Sequence, residues 1–344
     1  MKRSLTTVLP LLAVVAAVAL VLFGNIDNDK SIQLVNVSYD PTRELFQDLD
    51  RQFVSKYERE TGRKVTIKQS HGGSARQARA VIDGLEADVV SLALPSDIEL
   101  LRRQGLISDG WPDRLPNHSQ PYASMIVFVV RKGNPKGIKD WPDLARPDVS
   151  VVTPNPKTSG NGKLSLLAAW GSIIYRGGTE EQAQDYLRRL YQNVPVLGTG
   201  ARDSTITFTQ DKIGDVHLTW ENEARFEIAD SQEELEIVYP SISIRAEPSV
   251  TWVDKNVERR KTEGYAKAYL EFLYSRPAQE TMARYGYRPV DPAVLQEYAR
   301  QLPAVQLFPV TLIAKDWDDA EQKFFADNGV FDSIHTCGRS ETHD

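Results

Sequence analysis

Ile32-Gln33-Leu34-Val35-Asn36-Val37-Ser38-Tyr39-Asp40-Pro41 is an apolar run that stops at a turn and enters a helix. Ile32–Val37 reads as a buried strand, and Pro41 suits a first helical position because its missing N–H would be unpaired there anyway. Leu45, Phe46, Leu49, Phe53 and Tyr57 then fall at helical spacing, and Thr61-Gly62 closes the helix. The same grammar of strand, small-residue turn and helix start recurs at His71-Gly72-Gly73-Ser74, Thr158-Ser159-Gly160-Asn161-Gly162 and Gly200-Ala201-Arg202-Asp203-Ser204. A first helical turn carries unpaired N–H groups and the positive end of the helix dipole, so each such turn can hold an anion. Each alone is also an ordinary helix cap. Their repetition, with Gly and Ser rather than Lys, points to convergence on one small dehydrated anion.

Working outward, Val65–Gln69 alternates as a second strand and Ala75–Leu85 is a helix. Asp88–Leu94 is a short apolar strand, followed by a helix from Ser96 to Gln104. Met125–Arg131 and Val149–Thr153 read as strands, Lys163–Tyr175 and Glu180–Tyr191 as helices, and Gly214–Trp220 as a further strand. This alternation predicts an α/β fold with mainly parallel sheets. Pro121–Arg131 and Val238–Val253 read as connections between two lobes, Tyr265–Tyr274 as an amphipathic helix, and the rest of the tail as a surface wrap. The expected division is 1–29 as an export signal or signal anchor, 30–120 with 247–344 as one lobe, and 121–246 as the other.

With 344 residues the chain can build two domains, and 41% apolar with 26% charged residues is the balance of a globular protein. A net charge of −6 argues against a nucleic-acid binder, which would show a strongly basic face. The single cysteine, Cys337, excludes an intramolecular disulfide and any C-x-x-C motif. Lys2 and Arg3 ahead of the apolar run Val8–Phe23 have the layout of an export signal.

Several chemistries are refused. Gly160-Asn161-Gly162-Lys163-Leu164 looks like a phosphate loop, but Lys157 stands at the first glycine position and Leu164 follows the lysine. His71-Gly72-Gly73 resembles an esterase oxyanion turn, yet no G-x-S-x-G elbow is present. The histidines are scattered without ligand spacing, so no metal, cofactor or catalytic residue is expected. His71 reads as holding its turn, and Trp141 and Trp252 as core. Trp220 ends a strand, where an indole can only donate and so suits a ligand that only accepts.

Taken in order, Ser38-Tyr39-Asp40-Pro41-Thr42-Arg43-Glu44, Gln69-Ser70-His71-Gly72-Gly73-Ser74 and Ala87-Asp88-Val89-Val90 resemble the periplasmic sulfate-binding proteins. The likeness continues through Arg131-Lys132-Gly133-Asn134-Pro135-Lys136 and Asn155-Pro156-Lys157-Thr158-Ser159-Gly160-Asn161. It runs on through Leu167-Ala168-Ala169-Trp170-Gly171, Gly214-Asp215-Val216, Trp220-Glu221-Asn222-Glu223-Ala224 and Val253-Asp254-Lys255. The resemblance spans about Ile32 to Phe331. It implies a two-lobed, type II periplasmic-binding-protein fold, each lobe a mainly parallel sheet flanked by helices, with the ligand in the cleft between them. It further implies a monomer, not an enzyme, that delivers sulfate to the permease subunits of an ABC importer. Carried onto this chain, the donors to sulfate are the backbone of Asp40, the Ser74 side chain, Ser159, Gly160, the backbone at Asn161 and Ala201, and the indole of Trp220. His71 and Arg202 would brace them from behind. Asn161 stands where sulfate binders commonly carry Gly, and Gly162-Lys163 where they carry Ala-Arg. Thr158-Ser159-Gly160-Asn161 also resembles the thiosulfate-binding sister branch, whereas Gly73 and Trp220 match the sulfate branch. Thiosulfate therefore stays open as a ligand. So do molybdate or phosphate on the same fold, and an exported hydrolase using the Gly-Ser turns as an oxyanion hole.

Overall fold

The computed structural model describes residues 31–231 and 234–336; the expected export segment and Cys337 lie outside the described residues. Strands β1 (Ile32–Tyr39), β2 (Val65–Gly72) and β3 (Val89–Leu92) are followed in turn by helices α1 (Arg43–Thr61), α2 (Ser74–Ile82) and α3 (Pro95–Arg103). Helix α1 forms because Leu45, Phe46, Leu49 and Phe53 make one buried stripe, and it stops at Gly62, whose φ of 70° suits a residue without a Cβ. β2 and β3 both run parallel to β1.

The chain then passes through β4 (Tyr122–Ala123) to a second group: β5 (Ile126–Arg131), β6 (Val151–Pro154), helices α4 (Gly160–Tyr175) and α5 (Glu180–Gln192), β7 (Leu197–Gly198), α6 (Ala201–Thr209), β8 (Val216–Trp220), α7 (Glu221–Asp230) and β9 (Leu235–Val238). Their sheet has the order β7-β6-β8-β5-β9, in which β5 alone is antiparallel to β8 and to β9, while β6 runs parallel to β7 and β8. Every residue of α4 from Gly160 to Ser172 is buried, which is why its sequence lacks a polar face. At Gly171 a side chain would strike the Phe308 ring, its Cβ coming within 2.1 Å of a ring carbon.

After β10 (Ile242–Ile244) the chain returns to the first sheet as β11 (Ser249–Trp252), antiparallel to β3, giving the order β11-β3-β1-β2. Outgoing and returning segments touch at Ser124 and Ala246, which exchange backbone hydrogen bonds of 3.0 and 2.9 Å. Helices α8 (Asp254–Arg260), α9 (Glu263–Phe272) and α10 (Arg276–Arg284), then β12 (Arg288–Pro289) and β13 (Gln306–Phe308), follow. The tail is therefore not a surface wrap. Ala278 and Met282 of α10 and Phe308 of β13 are core residues, and β13 pairs with β10. The register aligns the sheet ends: Tyr39 stands opposite Gly72, and Pro154 opposite Gly198. The turns that follow these strands consequently open at common edges, where open α/β sheets present ligands.

Candidate functional site

The carboxyl ends of the two sheets face one another across a small, tightly closed cavity. Its lining includes Asp40, Ser74, Ser159, Gly160, Asn161, Ala201 and Trp220, so all seven predicted ligand residues come to one place, joined there by Tyr39, Pro41, Gly73 and Ala93. Ser74 is the first residue of α2, Gly160 of α4 and Ala201 of α6, and Asp40 opens the single turn Asp40–Thr42. First-turn N–H groups find no acceptor inside their own helix, so the four starts bring unpaired donors and three helix dipoles to the cavity.

The side chains divide between donors and structure. Trp220 is fully buried against Tyr39, ring centroids 5.4 Å apart, and its indole N–H has no partner within the protein. A buried donor left unpaired costs roughly 1–3 kcal/mol, so an orphan lining a cavity marks where a ligand atom belongs. Ser159 caps α4, its Oγ accepting at 3.5 Å from Gly162 N–H and keeping its own proton to donate. The Asn161 amide donates to the Leu218 carbonyl at 3.2 Å, while its Oδ1 is buried without a partner.

Ser74 departs from expectation. Its hydroxyl donates to Asp97 Oδ2 at 2.5 Å and accepts from Ala93 N–H at 2.9 Å. A hydroxyl has one proton, so with it given to Asp97 the donor Ser74 leaves free is its backbone N–H and not its side chain. The Asp40 carboxylate is held at 2.9 Å by Arg43. That pairing neutralises a charge which, turned into the cavity, would repel an anion by several kcal/mol.

Behind the cavity lie ion pairs that the sequence did not announce. Arg202 donates to Glu44 of α1 at 2.7 Å, and its Nε lies 2.8 Å from Glu223 of α7, so one guanidinium ties the helices of both sheets. Burial pushes Glu223 up to about 8, only partly offset by Arg202. Lys163, buried in α4, reaches Glu321 at 2.7 Å and Asp97 of α3 at 3.6 Å. Burial alone would lower its pKa, but the two carboxylates hold it above the ordinary lysine value. Lys163 thus has a structural partner in place of the phosphate its glycine-rich surroundings suggest. The one hint in sequence was a lone lysine entering a helix with no polar face. His71 sits 3.5 Å from Thr42 Oγ1, and burial lowers its pKa to about 4, so it is neutral at pH 7 and holds the turn. Trp141 is core, donating to the Ile242 carbonyl at 2.6 Å. Among the described residues no three His, Cys, Asp or Glu side chains gather as a metal site, and no helix is long and apolar enough to cross a membrane.

Two α/β sheets joined by paired crossing segments, with helix N-termini converging on one small cavity between them, define a two-lobed receptor for a small anion. The chain belongs to the bacterial extracellular solute-binding protein family, whose model matches residues 42–288. A sulfate-binding protein of Salmonella typhimurium is 48% identical over 307 residues, covering 89% of this chain and 93% of that protein. A thiosulfate-binding protein of Pseudomonas aeruginosa is 45% identical over 305 residues, covering 88% and 92% respectively. The solved structure of the sulfate-binding protein SubI from Mycobacterium tuberculosis H37Rv superposes with a TM-score of 0.78 at 30% identity, over 86% of this chain and 99% of that one.

Proposed function

We propose that this protein captures sulfate in the periplasm and delivers it to the permease subunits of an ABC importer, acting as a monomer and without chemical turnover. The observation that carries the reading is the Trp220 indole N–H, buried and unpartnered on the wall of a cavity ringed by helix starts. Sulfate would accept from that indole, from the Ser159 hydroxyl, and from the backbone N–H groups of Asp40, Ser74, Gly160, Asn161 and Ala201. Micromolar affinity corresponds to about −8 kcal/mol. Hydrogen bonds to a charged group contribute roughly 1.5–3 kcal/mol each and a helix terminus about 0.3–2. This donor set can therefore reach that affinity after dehydration is subtracted. Hydrogen phosphate carries a proton that needs an acceptor, which the backbone N–H groups and the indole do not offer. The unpartnered Asn161 Oδ1 is the lining acceptor that phosphate titration would probe.

The lobes are taken as 30–120 with 247–344 and as 121–246, hinged where Ser124 and Ala246 pair. Thiosulfate is the second reading, favoured by Thr158-Ser159-Gly160-Asn161 and by the name of the Pseudomonas relative. Calorimetric titration with sulfate, thiosulfate and phosphate separates the two. Micromolar sulfate binding with phosphate silent supports the first reading. Thiosulfate binding tighter than sulfate makes the second the function, and silence with all three anions on ligand-free folded protein rejects both.

A further inference from the structure

Three of the four turns carry a glycine pressed against the opposite wall. A Cβ built on Gly73, which follows β2, would lie 2.6 Å from the Thr158 carbonyl oxygen, which follows β6. One on Gly160, heading α4, would lie 2.5 Å from the Ala93 Cβ beyond β3 and 3.5 Å from the Ser74 Cβ. One on Gly200, ahead of α6, would lie 2.6 Å from Asp40 Oδ2, beyond β1. Each contact joins a turn of one sheet to a turn of the other. None of the three backbones needs glycine for its own conformation: Gly73 has φ −55° and ψ 132°, Gly200 has φ −161° and ψ 175°, and Gly160 is helical. Any residue adopts these angles. Glycine is demanded only by the approach of the second wall.

We propose that Gly73, Gly160 and Gly200 set how far the lobes close, and so determine which oxyanion fits; this rests on the sulfate reading above. Closure to van der Waals contact brings the donors of both walls onto one small tetrahedral anion. A single methyl in the seam holds the walls apart. It lengthens the hydrogen bonds from one side while leaving each lobe intact. Thiosulfate, with one oxygen replaced by a larger and more distant sulfur, spans a slightly wider gap and is penalised less. The glycines rank by what they meet. At Gly160 the obstacle is a Cβ fixed by its backbone, at Gly73 it is a backbone carbonyl, and at Gly200 it is the end of a carboxylate that can turn aside.

The test titrates sodium sulfate and sodium thiosulfate into the protein and its Gly160→Ala, Gly73→Ala and Gly200→Ala variants, with small-angle scattering at saturating anion. Gly264→Ala serves as control, since a Cβ there meets nothing within 4 Å. Gly160→Ala and Gly73→Ala are expected to weaken sulfate at least about tenfold, equivalent to about 1.4 kcal/mol. Gly200→Ala should weaken it less, and thiosulfate should lose less than sulfate in each. The liganded variants should scatter as more open molecules, with melting in the absence of anion unchanged. Moving the methyl across the seam, Ala93→Gly with Gly160→Ala, should restore most of the affinity. Wild-type affinity in Gly160→Ala and Gly73→Ala overturns the proposal. So does weakened binding with unchanged closed-state scattering, or failure of the double variant to recover while folded. A wild type that binds only thiosulfate overturns the sulfate reading, and the glycine comparison is then read on thiosulfate. A wild type silent to both removes the reading and the proposal together.

Discussion

The two walls of the cavity are built differently. The wall from the second sheet supplies the starts of α4 and α6 and the side-chain donors Ser159 and Trp220. The wall from the first sheet offers chiefly backbone N–H groups, beside the buried Tyr39 hydroxyl. The Ser74 hydroxyl on this wall is committed to Asp97, and its one carboxylate, on Asp40, to Arg43. On the proposed sulfate reading the difference implies a division of labour: one wall would recognise the anion and the other complete the cage. Arg202 to Glu44 and Lys163 to Asp97 cross the same seam, so charge pairing favours the arrangement in which the proposed anion donors converge.

That asymmetry can be broken by substitution. The largest effect belongs to the recognising wall. Trp220→Ala or Ser159→Ala removes a donor to a charged ligand, and isothermal titration should show sulfate weakened about 10- to 100-fold. Equal losses from Ser74→Ala would erase the distinction between the walls. The committed hydroxyl instead predicts a smaller loss of affinity from Ser74→Ala. It should come with a fall in unfolding free energy of about 1–3 kcal/mol, because Ala93 N–H and Asp97 lose their partner inside the protein. Denaturant unfolding without anion measures it.

Helix starts were legible in sequence because their signals are local: a cap, a glycine, an apolar spacing within a few residues. The pairs that brace the cavity were not, since Lys163 and Asp97, or Arg202 and Glu44, meet only after both sheets form. Helix α7 escaped for a related reason. Glu221, Glu223 and Glu227 are buried on it, so polar side chains stand where the apolar stripe by which a helix is recognised would be. Helix α10 offers only Ala278, Met282 and Ala283 as buried apolar residues, too faint a stripe to stand out from a polar tail.

Glu223 gives a smaller, pH-dependent effect. Its pKa rises from 4.5 in the unfolded chain to about 8 when folded, so the folded protein retains a proton that the unfolded chain releases. The associated stability is present in full below 4.5 and is lost as pH rises through about 8. Melting temperature without anion should therefore fall across that window, and Glu223→Gln should flatten the fall. An unchanged slope in the variant places the titration elsewhere. Smallest of all, Glu44→Gln removes one partly exposed partner of Arg202 and should cost about 0.2–1 kcal/mol in thermal unfolding. A larger loss would show the seam pair to be worth more than its exposure allows.

The most direct measurement follows the indole protons. The chain has six tryptophans, so a nitrogen–proton correlation spectrum shows at most six indole signals, and the one missing in Trp220→Phe identifies Trp220. Sulfate should move that signal downfield as its proton gains a charged acceptor, while Trp141, already bonded to the Ile242 carbonyl, stays in place. Saturable sulfate binding that leaves the Trp220 signal where it was would contradict the placement of the anion on this wall.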